Sequence, residues 1–252
     1  MTAAHHSTGG HAAGGTPSGL LVIDKPEGIT SMGVCRRVRG KLVAGGAPKR
    51  VKVGHGGTLD PLATGVLVLL VGRATRQCSR VMAGEKRYLA EVDLSQSSTT
   101  DDREGETTAA TGAPPSEAQV REACARFVGR IEQRPPAFSA IKVGGKRAYR
   151  MARAGEPPEL AARPVEVHAI ELLRYEWPLA TIDVRCGKGT YIRSLARDLG
   201  AVLTGAGMLR SLRRTVVGEF RIEHAVKLEA LPERLTAADL LLIANDPNAA
   251  AE

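Results

Sequence analysis

The sequence predicts an α+β fold. Segments with strand patterns and segments with helix patterns mix along the chain without a strict β-α-β alternation. The 252 residues are 43% hydrophobic and 25% charged, an ordinary globular composition with enough length for one large core or two small ones. The longest uninterrupted apolar run is the six residues Val66 to Val71, which is too short for a membrane-spanning helix.

The predicted elements follow from local patterns. Residues 1–18 contain almost nothing to bury, and we expect a disordered tail. Apolar or alternating stretches predict strands at residues 20–23, 51–53, 66–71, 86–94, 139–143, 164–176, 180–186 and 215–222. Helix signals predict helices at residues 31–43, 74–83, 117–128, 147–154 and 190–203, and a short helix from Thr236.

Capping residues indicate where three of these helices begin. Thr30 or Ser31 can cap the first, and Ser116 opens a capping box with Gln119. Thr190 is the predicted N-cap of the helix over residues 190–203. The polar stretch 95–108 is expected to be an exposed loop or the end of a hairpin.

Basic residues are concentrated in three segments. Residues 31–52, 130–153 and 193–221 together hold 20 Lys and Arg against 3 acidic residues, a net charge of +17, whereas the rest of the chain carries −9. Such segregation favours a surface for nucleic-acid phosphates, because each neutralised phosphate releases condensed counterions. Three solvated basic helix faces are the alternative. With eight aromatic residues in all, the chain lacks the exposed rings of a single-strand stacking platform.

The cysteine pattern and the N-terminus exclude further classes. Four cysteines stand at positions 35, 78, 124 and 186 with no C-x-x-C pair, unlike a disulfide framework or a zinc ribbon. The first residues lack the basic and apolar regions of a secretory signal. We therefore expect a cytoplasmic protein with reduced thiols, no bound metal and no membrane association.

The segment GHGGTLDPLATG, residues 54–65, is the most unusual on the chain. Five of its twelve residues are Gly or Pro, although it lies between two apolar strands. Pro61 restricts Asp60 to extended conformations, so a carboxylate projects from a stiff loop that also carries His55. The segment fits neither a phosphate loop nor a dinucleotide fingerprint. The alternative is a tight β-turn in which Asp60 caps backbone amides, the commoner arrangement for an isolated Asp-Pro.

Two other segments carry candidate functional side chains. CGKGTYIRSLARDLG, residues 186–200, leads from a strand through a glycine turn into a helix whose first turn holds Arg193. A cation there opposes the helix dipole and is better placed when it is paired with an anion, although a surface arginine is the alternative. In the strand over 86–94, alternation puts Lys86 and Tyr88 on one face. A tyrosine at such a position is more often a core residue than a functional one.

These segments together resemble the motifs of the TruB family of tRNA pseudouridine synthases. Besides GHGGTLDPLATG, the strand Lys86-Arg87-Tyr88 and CGKGTYIRSLARDLG, the resemblance includes DKPEGITS from Asp24, RPPAFSAIK from Arg134, and LRRT from Leu212 with Gly218 and Phe220. The matches occur in family order and cover residues 19–222.

The resemblance implies the pseudouridine synthase fold, a long, mixed and mostly antiparallel sheet with flanking helices and a central active-site cleft. It implies that Asp60 is the essential aspartate, that Arg193 pairs with it, and that Tyr88 stacks on the target base. It places three residues with the substrate-binding groups: Leu212 in the pocket wall, His55 in the loop that extracts the target nucleotide, and Lys86 beside Tyr88.

The implied reaction converts the uridine at position 55 of the tRNA T loop into pseudouridine. The N1–C1′ bond breaks, the uracil turns, and a C5–C1′ bond forms; no atoms enter or leave, so we expect no cofactor. Asp60 can act as a nucleophile at C1′ or as a base at C2′, and the sequence leaves both open. Either role needs an ionised carboxylate, which Arg193 would favour.

The resemblance also yields expectations about organisation and partners. The catalytic domain is predicted over residues 19–235, followed at 236–252 by a short helix and tail without a complete C-terminal PUA domain. The expected partner is the T arm of tRNA, bound by a monomer without an obligate protein partner. Gly56 stands where the family commonly has Thr or Ser, and Phe138 where it commonly has Tyr. A non-catalytic RNA chaperone and a guide-RNA-dependent relative are the competing hypotheses.

Overall fold

A computed structural model of the chain describes residues 16–242. Most of the predicted N-terminal tail and the end of the predicted C-terminal segment lie outside this range. Within residues 16–242, no helix is long and apolar enough to cross a membrane.

The described chain contains fourteen strands and five α-helices. The strands are β1 (Gly19–Lys25), β2 (Val53–His55), β3 (Thr64–Val71), β4 (Lys86–Asp93), β5 (Gln96–Ser98), β6 (Thr107–Ala109), β7 (Gly129–Gln133), β8 (Lys142–Val143), β9 (Lys146–Arg147), β10 (Arg163–Glu176), β11 (Leu179–Cys186), β12 (Met208–Val217), β13 (Phe220–Arg221) and β14 (Val226–Lys227). The helices are α1 (Ser31–Ala44), α2 (Cys78–Ala83), α3 (Glu117–Arg126), α4 (Ala148–Arg153) and α5 (Ile192–Leu203).

Ten of these strands form one large sheet in the part of the chain that the structure describes. Its order is β14-β1-β3-β12-β4-β11-β10-β7, with β2 added to β3 and β13 added to β12. The pairs β1–β14 and β3–β12 are parallel, and the remaining pairs are antiparallel. The sheet is therefore mixed and mostly antiparallel, which confirms the predicted fold class.

Apolar side chains cover the central strands on both faces. On one face, α1, α3 and α5 bury residues such as Val38, Val120 and Leu195 in the larger core. On the other, the alternate residues of β1 and β3, among them Val22 and Val68, form a smaller core. The continuous apolar run of β3 is explained by this burial on both sides.

Two of the three predicted caps are confirmed. Thr30 Oγ1 accepts a hydrogen bond from Gly33 N at 2.9 Å, and Ser116 with Gln119 forms the capping box of α3. The prediction for Thr190 is wrong: α5 begins after Tyr191 without a side-chain cap, and the Thr190 hydroxyl donates to Gly187 O instead.

Other element boundaries differ from the predictions. The predicted helix 74–83 is a 3-10 helix over Gly72–Gln77 followed by α2. The predicted strand 139–143 is reduced to β8, because residues 137–140 form bends. The predicted strand 215–222 belongs to the longer β12 and, after a turn, to β13. Strands β7 and β14 were not predicted; they are short and polar, so their pairing depends on neighbours distant in sequence.

One glycine sets how closely β3 approaches β12. Gly65 lies opposite Arg214 in the parallel pair, with φ of 98°, and a Cβ added there would lie 2.1 Å from Arg214 O. Any other residue would force the two strands apart. This contact brings the loop between β2 and β3 against the middle of β12.

Candidate active site

The loop between β2 and β3 presents the Asp60 carboxylate partly to solvent. The Asp60 side chain is 36% exposed, whereas Leu59 beside it is buried. Ser31, the first residue of α1, fixes the loop: its hydroxyl donates to Leu59 O at 2.9 Å and accepts from Leu59 N at 2.8 Å. The interpretation of Asp60 as a cap for backbone amides has no support among the hydrogen bonds of the described residues, since none ends on its carboxylate.

Gly56 fits this loop for a local steric reason. Its amide donates to Val68 O at 2.8 Å, and an added Cβ would lie 2.3 Å from Cγ1 of Val81 in α2. The Thr or Ser that is common at this place in the family would collide with that valine. Glycine at position 56 therefore leaves room for α2 to pack against the loop.

A buried lysine holds the same loop from the other side. The Lys25 ammonium, at the end of β1, donates to Pro26 O at 2.9 Å, to Ile29 O at 2.8 Å and to Pro61 O at 3.2 Å. Burial lowers the pKa of Lys25 to about 8, while the nearby Asp60 carboxylate acts in the opposite direction. Lys25 thus ties the turn after β1 to the residue that follows Asp60.

Arg193 lies directly behind the Asp60 carboxylate. Its Nε is 2.9 Å from Asp60 Oδ2, and only 5% of its side chain is exposed. The Nε–H does not point along the line between the two atoms, so the contact is an ion pair rather than an aligned hydrogen bond. Nη1 donates to Thr100 O at 3.0 Å and Nη2 donates to Phe138 O at 2.9 Å. These backbone contacts fix the guanidinium plane.

A second carboxylate completes this group. Asp102 is buried, and its Oδ2 lies 3.5 Å from Arg193 Nη1. The other oxygen, Oδ1, accepts hydrogen bonds from the Thr100 hydroxyl at 2.6 Å and from Glu104 N at 3.0 Å. Arg193 is therefore shared between an exposed carboxylate and a buried one.

Strands β4 and β12, which pair side by side, carry a further group of buried side chains. Tyr88 lies opposite Arg214 and Ala90 lies opposite Leu212, and these four side chains are buried. Burial raises the pKa of Tyr88, so its hydroxyl stays protonated near neutral pH. Arg214 donates to Val66 O at 2.8 Å and to Gly57 O at 3.0 Å. It thereby joins β12 to β3 and to the Asp60 loop.

Lys86 shares the buried face of β4 with Tyr88, as the alternation predicted. Its ammonium donates to the carbonyl oxygens of Met82 and Gly84. Burial, followed by the positive charge of Arg214, lowers the pKa of Lys86.

His55 ends β2 at the start of the loop. Its Nδ1 is buried and has no hydrogen-bond partner within residues 16–242. Burial and the nearby Arg214 charge lower the pKa of His55, so the imidazole is neutral at neutral pH.

The structure places Arg193 against Asp60, and it carries Tyr88 and Leu212 on the neighbouring strands β4 and β12. His55 begins the Asp60 loop, and Lys86 lies two residues before Tyr88 on β4. Sequence reasoning missed three members of the site: Lys25, Asp102 and Arg214. Lys25 and Arg214 stand within segments that carried the family resemblance, and Arg214 shares the strand face of Leu212 at i+2. Asp102 lies in the polar stretch that was expected to be exposed.

Metal-binding side chains do not form a cluster within residues 16–242. Among the described residues there is no group of three or more His, Cys, Asp or Glu side chains that could hold a metal ion. The four thiols are free, and burial raises the pKa of Cys35, Cys124 and Cys186 to about 11.

Comparison with known proteins gives consistent results. Residues 46–192 match a family model described as TruB family pseudouridylate synthase, N-terminal domain. The chain is 46% identical over 226 residues to a protein named tRNA pseudouridine synthase B from Corynebacterium diphtheriae, covering 86% of this chain and 73% of the relative. A protein of the same name from Ruegeria pomeroyi is 46% identical over 213 residues, covering 84% of this chain and 68% of the relative.

Solved structures resemble the fold as well. A chain from a Cbf5-Nop10-Gar1 complex matches with a TM-score of 0.63 and 28% identity, over 89% of this chain and 60% of that one. A chain from an H/ACA RNP bound to a substrate RNA containing 2′-deoxyuridine matches with a TM-score of 0.61 and 27% identity, over 84% of this chain and 52% of that one. The present chain thus spans about half to three fifths of the length of these solved chains.

Proposed function

The chain belongs to the TruB family of pseudouridylate synthases, and on that premise we propose that it converts uridine into pseudouridine at position 55 in the T loop of tRNA. The family match and the relatives' names support an isomerase acting on tRNA. The position within the T loop is the family's expected target.

One observation supports this proposal most strongly: the solvent-facing Asp60 carboxylate lies 2.9 Å from the guanidinium of a buried arginine. A buried guanidinium whose other nitrogens bind backbone oxygens cannot turn away, so its positive charge stays beside the Asp60 carboxylate. An ionised, fixed carboxylate is what either attack at C1′ or proton removal from C2′ requires.

The remaining side chains suit a flipped uracil. Once the base leaves its stack, we propose that the Tyr88 ring contacts its face and that Leu212 excludes water from the opened glycosidic bond. The neutral His55 ring is proposed to fill the space that the base vacates, and Lys86 to face the substrate. Stacking and phosphate contacts must offset a few kcal/mol of unstacking, by general estimates for base flipping.

The proposed partner is tRNA alone. The named relatives that match at 46% identity are tRNA pseudouridine synthases, whereas the chains from protein and RNA assemblies match at 27–28%. This difference supports an enzyme that works without an obligate protein partner. It gives less support to a guide-RNA-dependent enzyme. A cytoplasmic location and a monomeric state are further parts of the proposal.

Site mapping of pseudouridine tests the function. The pure protein is incubated with an unmodified tRNA transcript and with a matched transcript that carries cytidine at position 55. We expect pseudouridine at position 55 of the first transcript and none in the second, without any added protein, metal or nucleotide. Binding without modification would favour the RNA chaperone instead. Modification at another position would contradict the proposed target.

A further inference from the structure

Helix α5 carries a second arginine on the face that holds Arg193. Arg197 follows it by four residues, about one helical turn. Its Nη1 donates to Asp101 Oδ2 at 2.8 Å, its Nη2 to Arg134 O at 2.9 Å and its Nε to Asp198 Oδ1 at 2.9 Å. All three directions of the guanidinium are therefore occupied.

These contacts fall on the two segments that orient Arg193. One segment supplies Thr100 O and the Asp102 carboxylate to Arg193, and Asp101 lies between those two residues. The other segment supplies Phe138 O, four residues after Arg134. Apart from Asp60, the partners of Arg193 come from residues 100–102 and from residue 138. Arg197 contacts Asp101 in the first segment and Arg134 in the second.

Asp101 shows that the first segment is held in place rather than relaxed. Its φ of 60° is the one positive value at a non-glycine residue in the described chain. Asp tolerates this region better than most residues, and the conformation persists where surrounding contacts fix it. Here the backbone of Asp101 is fixed by Leu209 N, which donates to its carbonyl at 3.0 Å, and its side chain by Arg197. The Asp101 side chain is 15% exposed, so without Arg197 an almost buried carboxylate would lose its ion-pair partner.

We propose that Arg197 is a positioning residue that acts through Asp101 and the Arg134 carbonyl to fix the two segments that orient Arg193, and through Arg193 the Asp60 carboxylate. This inference rests on the proposed function, because it assumes that Asp60 and Arg193 act in the reaction. The ion-pair partners of Arg197 itself are Asp101 and Asp198, so its effect on Asp60 is indirect.

The test compares reaction rate with RNA affinity in the full-length protein. For Arg197→Met, the single-turnover rate at saturating enzyme should fall roughly 10- to 100-fold, the size expected for a displacement of about 1 Å in a reacting group. The dissociation constant for the tRNA transcript should stay within about threefold, because Arg197 is assigned no contact with RNA.

A double-mutant cycle tests whether Arg197 acts through Asp101. Asp101→Asn removes the charge yet keeps a residue that tolerates positive φ, so it tests the ion pair even if Arg197→Met folds poorly. It should slow the reaction in the same direction. The variant with both changes should be no slower than Arg197→Met alone, because both changes break one link. Arg197→Lys should recover part of the rate, since an ammonium can reach one of the acceptors.

Thr204→Val serves as the matched control for stability. Its buried hydroxyl donates to Leu94 O at 2.8 Å at the far end of α5, away from these segments. The change should lower the melting temperature and leave the single-turnover rate unchanged.

Three results would overturn the inference: an unchanged rate in Arg197→Met, a loss confined to tRNA affinity, or an equal loss of rate in Thr204→Val. A wild-type protein that makes no pseudouridine would overturn the proposed function instead. The two failures are therefore distinguishable.

Discussion

Two groups of cations in this protein differ in how their charge is used. Lys25, Arg193 and Arg214 surround the Asp60 loop, are 0%, 4% and 2% exposed, and donate to backbone carbonyls. The second group lies around the β8–β9 hairpin and α4 and is exposed; it consists of Lys142, Lys146, Arg147, Arg150 and Arg153. No ion pair to a carboxylate within residues 16–242 involves this second group.

The difference indicates separate tasks. A buried cation that donates to backbone carbonyls fixes a loop and holds its charge near the Asp60 carboxylate. An exposed cation that is not paired with a carboxylate can bind phosphate, and its contribution is screened by salt. Changes in the first group should therefore alter rate and stability, and changes in the second should alter affinity and salt dependence.

The largest effect is expected for Arg193→Ala. Asp60 would lose its counter-charge, and the carbonyls of Thr100 and Phe138 would lose their donor. We expect the single-turnover rate to fall about 10²- to 10³-fold, as for the loss of one preorganised charged donor. Arg126→Ala is the matched control, since Arg126 is exposed and paired with Glu122 on α3. An equal loss of rate in Arg126→Ala would show that removing any cation slows the reaction, whether or not it lies beside Asp60.

Lys25 allows a test by pH. In the folded protein it loses its proton near pH 8, whereas in the unfolded chain it keeps it up to about pH 10.4. Between these values the unfolded chain binds more protons, so this group makes the folded state more stable as the pH rises. The free energy of unfolding of the wild type, minus that of Lys25→Met, should therefore increase from pH 8 to pH 10.

The matched variant for this measurement is Lys52→Met, which removes an exposed lysine. Its difference from the wild type should stay flat over the same range. A flat difference for Lys25→Met as well would mean that the buried ammonium is not perturbed.

The smallest effect is expected in the exposed group. Arg150→Gln combined with Arg153→Gln should weaken tRNA binding and reduce the slope of log affinity against log salt by about 1 to 2, one unit or slightly less per phosphate contact. Arg121→Gln combined with Arg126→Gln removes the same charge from α3 and should leave the slope unchanged. Equal slopes in the two double variants would show that net charge, not this surface, determines affinity.

The family motifs in the sequence predicted more of the site than residue spacing, composition or alternation did. The pairing of Asp60 with Arg193 joins residues 133 positions apart, and neither spacing nor composition could bring them together. The family resemblance supplied that expectation, and the 2.9 Å contact agrees with it. Alternation did place Lys86 and Tyr88 on one face, because β4 keeps a regular period of two.

Arg214 and Asp102 show why the sequence did not predict the other residues of the site. Arg213 and Arg214 are identical in type, yet Arg213 bonds to Asp24 while Arg214 is buried beside Tyr88. Only the register of β12 against β4 decides which one points inward. Asp102 stands in a polar stretch that predicts exposure, and it is buried because Arg193, from a helix far along the chain, covers it.

The central claim is that the Asp60 carboxylate performs the chemistry and the cations around it only hold it in place. Asp60→Asn keeps the size of the side chain and removes its charge, so it tests this claim most directly. Pseudouridine mapping on a tRNA transcript and tRNA binding should be measured on the same preparation. We predict no pseudouridine with a dissociation constant within about threefold of the wild type, whereas turnover by the purified Asp60→Asn protein would contradict the account.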